Sequence, residues 1–164
     1  MDPPGRAYLS GLKMLARHEL SEAQLRARLA RQGLEPTDIE DAVGRLLRER
    51  ALDDRRVALA CARTEARLHR RGRARILRQL AALGIARDVA SAAVAEVFTE
   101  IDERALLEQA LERRLRGSVS LDAAAIRRLH RYLIAQGFDP SQVANLLASR
   151  AHAVLSGRGE TEPP

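Results

Sequence analysis

LRARLARQGL, residues Leu25–Leu34, decides the reading of the fold because its pattern occurs three times. The same order of apolar residue, three residues, apolar residue, three residues, glycine and apolar residue returns as ILRQLAALGI at Ile76–Ile85 and as LHRYLIAQGF at Leu129–Phe138. Gly33, Gly84 and Gly137 are spaced by 51 and 53 residues. Apolar residues at i and i+4 lie on one helix face, and a following glycine supplies the left-handed residue that ends many helices. After each glycine a new helix is expected, with its apolar pair at Ile39 and Val43, at Val89 and Ala93, and at Val143 and Leu147. A supersecondary unit repeated at a fixed period, unable to bury its apolar face alone, is the signature of a tandem array.

The flanking residues supply helix starts. Ser21-Glu22-Ala23-Gln24 is a capping box, in which serine accepts from the Gln24 amide and the glutamine reaches back. Pro36 and the Thr37-x-x-Glu40 box are expected to open the next helix, Asp53 to cap another, and Asp139-Pro140 to open the last with proline at its first position. A first helix is expected over Arg6 to His18 with Leu12 and Leu15 inward. The fold expected is all-α, an elongated, curved array of three tandem three-helix modules at 6–50, 51–98 and 99–155, followed by a disordered polar tail at 156–164.

Composition agrees. In 164 residues, alanine, leucine, arginine and glutamate dominate and aromatics make up only 2%, so sheet is not expected. No apolar run approaches the roughly 18 residues of a membrane span, and MDPPGRAYLS lacks the apolar core of a signal peptide. A soluble, cytoplasmic chain is expected. The lone cysteine, Cys61, excludes an internal disulfide, and its apolar helix face suggests a buried, inert thiol.

The charge is concentrated. From Arg63 to Arg78 seven arginines (Arg63, Arg67, Arg70, Arg71, Arg73, Arg75, Arg78) face one acid, Glu65, a local +6 that equals the net charge of the chain. A second run carries Arg113, Arg114, Arg116, Arg127, Arg128 and Arg131 against Asp122, a local +5. Helical periodicity places Arg56, Arg63, Arg67 and Arg70 in one angular band and Val57, Cys61, Thr64 and Leu68 in another, so one side is expected to be basic and the other to pack. Such a face suits a polyanion or an acidic protein. The bland alternative is a solvated helix in a chain whose 27 arginines and single lysine, Lys13, reflect base composition. Four aromatics (Tyr8, Phe98, Tyr132, Phe138) are too few for a base-stacking platform, so phosphates would be the target on nucleic acid.

The succession Arg17-His18-Glu19-Leu20-Ser21 ahead of Leu25-x3-Leu29, then Leu52-Asp53-Asp54-x-Arg56-apolar-Ala58, then Gly72-x-x-Arg75-Ile76-x3-Leu80-x3-Gly84-Ile85, and finally Leu133-x3-Gly137-Phe138, resembles the bacterial regulatory protein RecX family over residues 8–150. Order and spacing carry the likeness, since no single piece is specific. Val57 stands where the family usually has an aromatic, and Gln32, Leu83 and Gln136 precede glycines where it often has Lys or Arg. The resemblance implies a modulator, usually an inhibitor, of the RecA recombinase. Such proteins lie in the helical groove of the RecA filament on DNA and hinder filament growth, ATP hydrolysis, strand exchange and co-protease activity. The partners expected are therefore the RecA filament and single- and double-stranded DNA without sequence preference, with no membrane, no cofactor and no metal, for a monomer. Arg56 and the thirteen arginines of the two runs are the expected contact residues.

Two other classes fit less well. For an enzyme, His18, His69, His130 and His152 are scattered with no i, i+4 pair. His18-Glu19 and Asp53-Asp54 are adjacent, pointing about 100° apart on a helix, and no Gly-rich phosphate loop or Gly-x-Ser-x-Gly elbow occurs. For a base-reading helix-turn-helix protein, the candidate recognition helices at 38–48, 88–98 and 141–150 open with acids, alanine or neutral residues, and the arginines sit elsewhere.

Overall fold

The computed structural model describes residues 5–115 and 122–157, the last four of these as backbone only. Among the described residues the chain is helical without strands: α1 (Arg6–Leu15), α2 (Glu22–Ala30), α3 (Pro36–Arg48), α4 (Asp54–Arg67), α5 (Arg73–Ala82), α6 (Arg87–Phe98), α7 (Glu103–Leu115), α8 (Ala123–Ala135) and α9 (Pro140–Gly157). The all-α expectation holds. Helix α9 runs to Gly157, and 158–164, most of the expected tail, lie outside the described residues.

The three repeat glycines sit where their sequence pattern places them, just past α2, α5 and α8, with φ of 72°, 75° and 92°. At Gly84 and Gly137 the turn closes with two reversed bonds. The glycine N–H donates to the carbonyl three residues back, and the next N–H, of Ile85 or Phe138, donates to Leu80 or Leu133. The same termination occurs without glycine after α3, where Arg50 takes φ 56° and Ala51 N–H donates to Leu46 O at 3.0 Å. The Ser21 capping box forms in full, and Asp53 Oδ1 accepts from Arg56 N–H at 3.1 Å. Helix α3 opens at Pro36 as expected, with Glu35 before it, but Thr37 lies inside the helix, not at its cap. Glu40 instead accepts from the Arg26 guanidinium at 2.9 and 2.7 Å, which holds its carboxyl below the usual range.

Two expectations for α4 fail together. The helix ends at Arg67, and Arg70 lies beyond it in the left-handed region at φ 53°, so Arg70 does not share a helix face with Arg56, Arg63 and Arg67. The inward stripe is also rotated. Val57, Ala58, Ala62 and Ala66 are buried, Thr64 is exposed, Leu68 is 65% exposed, and Cys61 is only half-buried. The buried face is made by alanines at i, i+4 and i+8, and Leu68 lies past the end of the helix.

The chain forms two compact units, 1–62 with 77–97, and 63–76 with 98–164. In the first, α1, α2 and α3 pack on one another around Leu20, Leu25, Leu29, Ile39, Val43, Leu46 and Leu52. The turn after α5 seats on the start of α2. The buried Ser21 hydroxyl donates to Leu83 O at 2.5 Å, Glu22 N–H donates to Asp54 Oδ1 at 2.7 Å, and a methyl built on Gly84 would come within 2.4 Å of Ala23 Cβ. In the second unit, α7, α8 and α9 pack on one another with Leu107, Leu111, Leu133 and Val143 fully buried. Here the turn after α8 seats on the start of α5: Gly72 N–H donates to Gln136 O at 2.9 Å and Ala74 N–H to Gly137 O at 3.2 Å. Gly72 and Gly137 touch, a Cβ on the former falling 2.3 Å from Gly137 O. Ser21 and Gly72 hold the same place in the repeat, twelve residues before their glycines, and so does Ala125. Helix α8, however, starts three residues earlier in this register, capped by Asp122, whose Oδ1 takes the Ala125 N–H at 2.6 Å.

Candidate partner and nucleic-acid interface

Both arginine runs fall almost wholly in the second unit. It holds fifteen arginines against ten acids, a formal +5, whereas the first unit holds thirteen basic residues against twelve acids, a formal +1. Only Arg56 and Arg78 of the expected contact residues lie in the first.

Many of the central arginines are tied to acids distant in sequence. Arg56 pairs with Glu19 at 3.0 Å and donates to the carbonyls of Arg50 and Ala51 at 3.2 and 3.1 Å, lacing the left-handed turn after α3. Arg67 pairs with Glu100 at 2.8 Å. Arg71 pairs with Glu65, both side chains mostly covered. Arg73 pairs with Glu103 at 2.7 Å and stacks 4.5 Å above the Phe98 ring. Arg70 reaches Gln109 Oε1 at 3.3 Å, and Arg75 reaches Ala135 O at 3.4 Å. Arg63 and Arg78 are exposed on α4 and α5. Each tied guanidinium keeps donors and field available to an anion, but its place is fixed by the fold.

The second run differs. Arg127, Arg128 and Arg131 are exposed on α8, and among the described residues none of the three is in an ion pair. Arg114 stacks 5.4 Å from the Tyr132 ring, Arg113 is exposed beside it in the last turn of α7, and Arg116 lies outside the described residues. Two of these, Arg127 and Arg131, flank a cleft of about 500 Å³ between α8 and α9, with Ile126, His130, Ala144, Leu147, Ala148 and Ala151 as the rest of its wall. Among the described residues no three His, Cys, Asp or Glu side chains are grouped to hold a metal ion, and no helix is long and apolar enough to cross a membrane.

What residue-by-residue reading missed are the acids that hold the arginines. A signal for them exists: Leu52-Asp53-Asp54 recurs as Ile101-Asp102-Glu103. Asp54 meets the Glu22 amide at the start of α2, and Glu103 meets Arg73 at the start of α5.

A family model for the RecX first three-helix domain matches residues 7–46. Curated relatives extend the likeness over nearly the whole chain. A regulatory protein RecX of Pseudomonas fluorescens (strain SBW25) is 30% identical over 141 residues, 86% of this chain and 89% of the relative. The chain belongs to the RecX family. The RecX of Treponema pallidum (strain Nichols) is 34% identical over 140 residues, covering 84% and 80%. That of Pelodictyon phaeoclathratiforme is 29% identical over 161 residues, covering 98% and 96%. Two solved RecX structures share the fold. The one from Lactobacillus salivarius superposes with a TM-score of 0.77 at 16% identity, covering 88% of this chain and 94% of that one. The other gives 0.75 at 20% identity, covering 88% and 70%. RecX is a family of regulatory proteins.

Proposed function

We propose that this RecX-family chain is a cytoplasmic negative regulator of the RecA recombinase that works as a monomer. It binds in the groove of the RecA–DNA filament, inhibits filament growth, ATP hydrolysis, strand exchange and co-protease activity, and also binds single- and double-stranded DNA without sequence preference. The observation that carries this reading is the +5 unit on which both arginine runs meet. A filament groove offers phosphates and acidic protein together, and a surface of fixed and untethered guanidinium groups answers both. Sequence-independent contact fits because no aromatic platform accompanies these arginines and, of the helices following the repeat glycines, α3 and α9 open with proline and α6 alone with an arginine, Arg87.

The test is inhibition of RecA-catalysed ATP hydrolysis on DNA. Charge reversal at Arg127, Arg128 and Arg131 should abolish inhibition while leaving helicity unchanged, since arginine and glutamate are comparable helix formers. Reversal at Arg17, Arg31 and Arg48, exposed residues of the first unit, is the control and should have little effect. Loss of inhibition in the control with retention in the first variant would sink the assignment.

A further inference from the structure

The cleft between α8 and α9 has a property that the reading above does not require. Its floor is apolar. Ala144, Leu147, Ala148 and Ala151 lie at i, i+3, i+4 and i+7 along α9 and face Ile126 of α8, with Arg127, His130 and Arg131 along one edge. In the register set by Val89 and Val143, Ala144, Ala148 and Ala151 correspond to Ala90, Val94 and Val97 of α6. Those α6 residues are 3%, 2% and 2% exposed, whereas Ala144 and Ala148 are exposed and Ala151 half-buried. The repeat therefore covers this face in its middle copy and leaves it open in the last.

Nucleic acid is a poor occupant. No Phe, Tyr or Trp lines the cleft on which a base could stack, and phosphate gains nothing from a floor of methyl groups. A helix fits better. Three alanines in the floor let a helix backbone approach to about 8 Å, the short end of helix-packing distances. Arg127 and Arg131, one turn apart, match two carboxylates one turn apart on the incoming helix. We infer that the α8–α9 cleft receives an acidic, amphipathic helical segment of the protein partner, so that on a filament Arg127 and Arg131 meet carboxylates where on bare duplex they meet phosphate. This rests on the partner proposed above being a protein–DNA filament.

The test uses the full chain and a neutral substitution, so that electrostatics do not change. Ala144→Gln with Ala148→Gln puts two amides into the floor at exposed positions of a helix. Helicity by circular dichroism should be unchanged. Binding to RecA filaments on DNA should weaken by about tenfold or more, since each amide must be desolvated without a partner, while binding to bare duplex should stay within about twofold because the charge is the same. Equal weakening of both would assign the cleft to nucleic acid and overturn the inference. So would unchanged filament binding. Tighter filament binding on truncation after Gly157 would make the chain's own tail the occupant, and a wild-type dimer that the double variant dissolves would make it a second copy; either overturns the inference. If the wild-type chain itself fails to bind filaments, the proposed function falls and this inference with it, an outcome distinguishable from the others before any variant is made.

Discussion

Gly33, Gly84 and Gly137 have the same backbone conformation and different surroundings, which separates two costs that usually arrive together. A methyl at Gly33 would meet nothing within 4 Å, so Gly33→Ala should lose only the left-handed penalty, about 1 kcal/mol. At Gly84 the added methyl meets Ala23 Cβ, and the loss should rise to about 2–3 kcal/mol. At Gly137 it meets the backbone N of Arg75 at 2.2 Å, which cannot swing aside, and more than about 3 kcal/mol is expected. Urea midpoints for the three variants should follow that order, and equal midpoints would mean that neither junction is formed in solution. Asp54 offers a test by pH. Burial pushes its carboxyl up, opposed by the Glu22 N–H and aided by Glu22 and Asp53. A raised acid takes up protons on folding, so its own contribution makes the fold more stable as pH falls through the raised value. Glu49, held down by the Tyr8 hydroxyl and then Arg45, and Glu40 and Asp139, also held down, act in the other direction, their stabilisation being lost on acidification. Asp54→Asn keeps an acceptor for Glu22 N–H and removes only the first effect. Its stability should therefore fall more steeply than the parent's as pH falls through the carboxylate range. Parallel curves would show that Asp54 titrates as an ordinary exposed acid.

Helices α2, α5 and α8 repeat one sequence pattern but start by different means, and the means predict different sensitivities. Ser21 both caps α2 and donates to Leu83 O while fully buried. Ser21→Ala should cost about 2–3 kcal/mol, the sum of a lost cap and an orphaned buried carbonyl. Asp122 caps α8 at the surface, and Asp122→Ala should cost about 1 kcal/mol. Equal losses, read from thermal unfolding, would remove Leu83 from the account. Helix positions were largely legible in the sequence because caps and terminating glycines are local signals, readable within four or five residues. The end of α4 was not. Its stop is made by Arg70 in a left-handed conformation, closed by Arg71 N–H donating to Glu65 O at 3.0 Å, and arginine, unlike glycine, does not announce that role in a sequence. The α4 stripe was misplaced for a related reason: periodicity follows large apolar residues, and this face packs through alanines.

At the scale of the molecule, charge was legible as runs and illegible as pairs, since Arg55–Glu96, Arg67–Glu100 and Arg73–Glu103 each span 30 residues or more. That division predicts which arginines are interchangeable. Arg67→Glu sets two carboxylates against each other and should lose about 1 kcal/mol, whereas Arg128→Glu should leave stability unchanged. On duplex DNA, Arg127→Ala, Arg128→Ala and Arg131→Ala together should lower the log–log salt slope by roughly two to three. An unchanged slope would remove α8 from the phosphate surface. The start of α8 has a last consequence. Gly72 N–H donates to Gln136 O of the following sequence repeat, and the Ser21 hydroxyl donates to Leu83 O. Ala125, the third residue in that series, has its N–H already consumed by Asp122. In the language of polymerisation, the growing end is quenched: the N–H that would hook a fourth unit already donates to the chain's own carboxylate. Lengthening this protein by appending another copy of its repeat would therefore fail until Asp122 and the turn it starts were cut away.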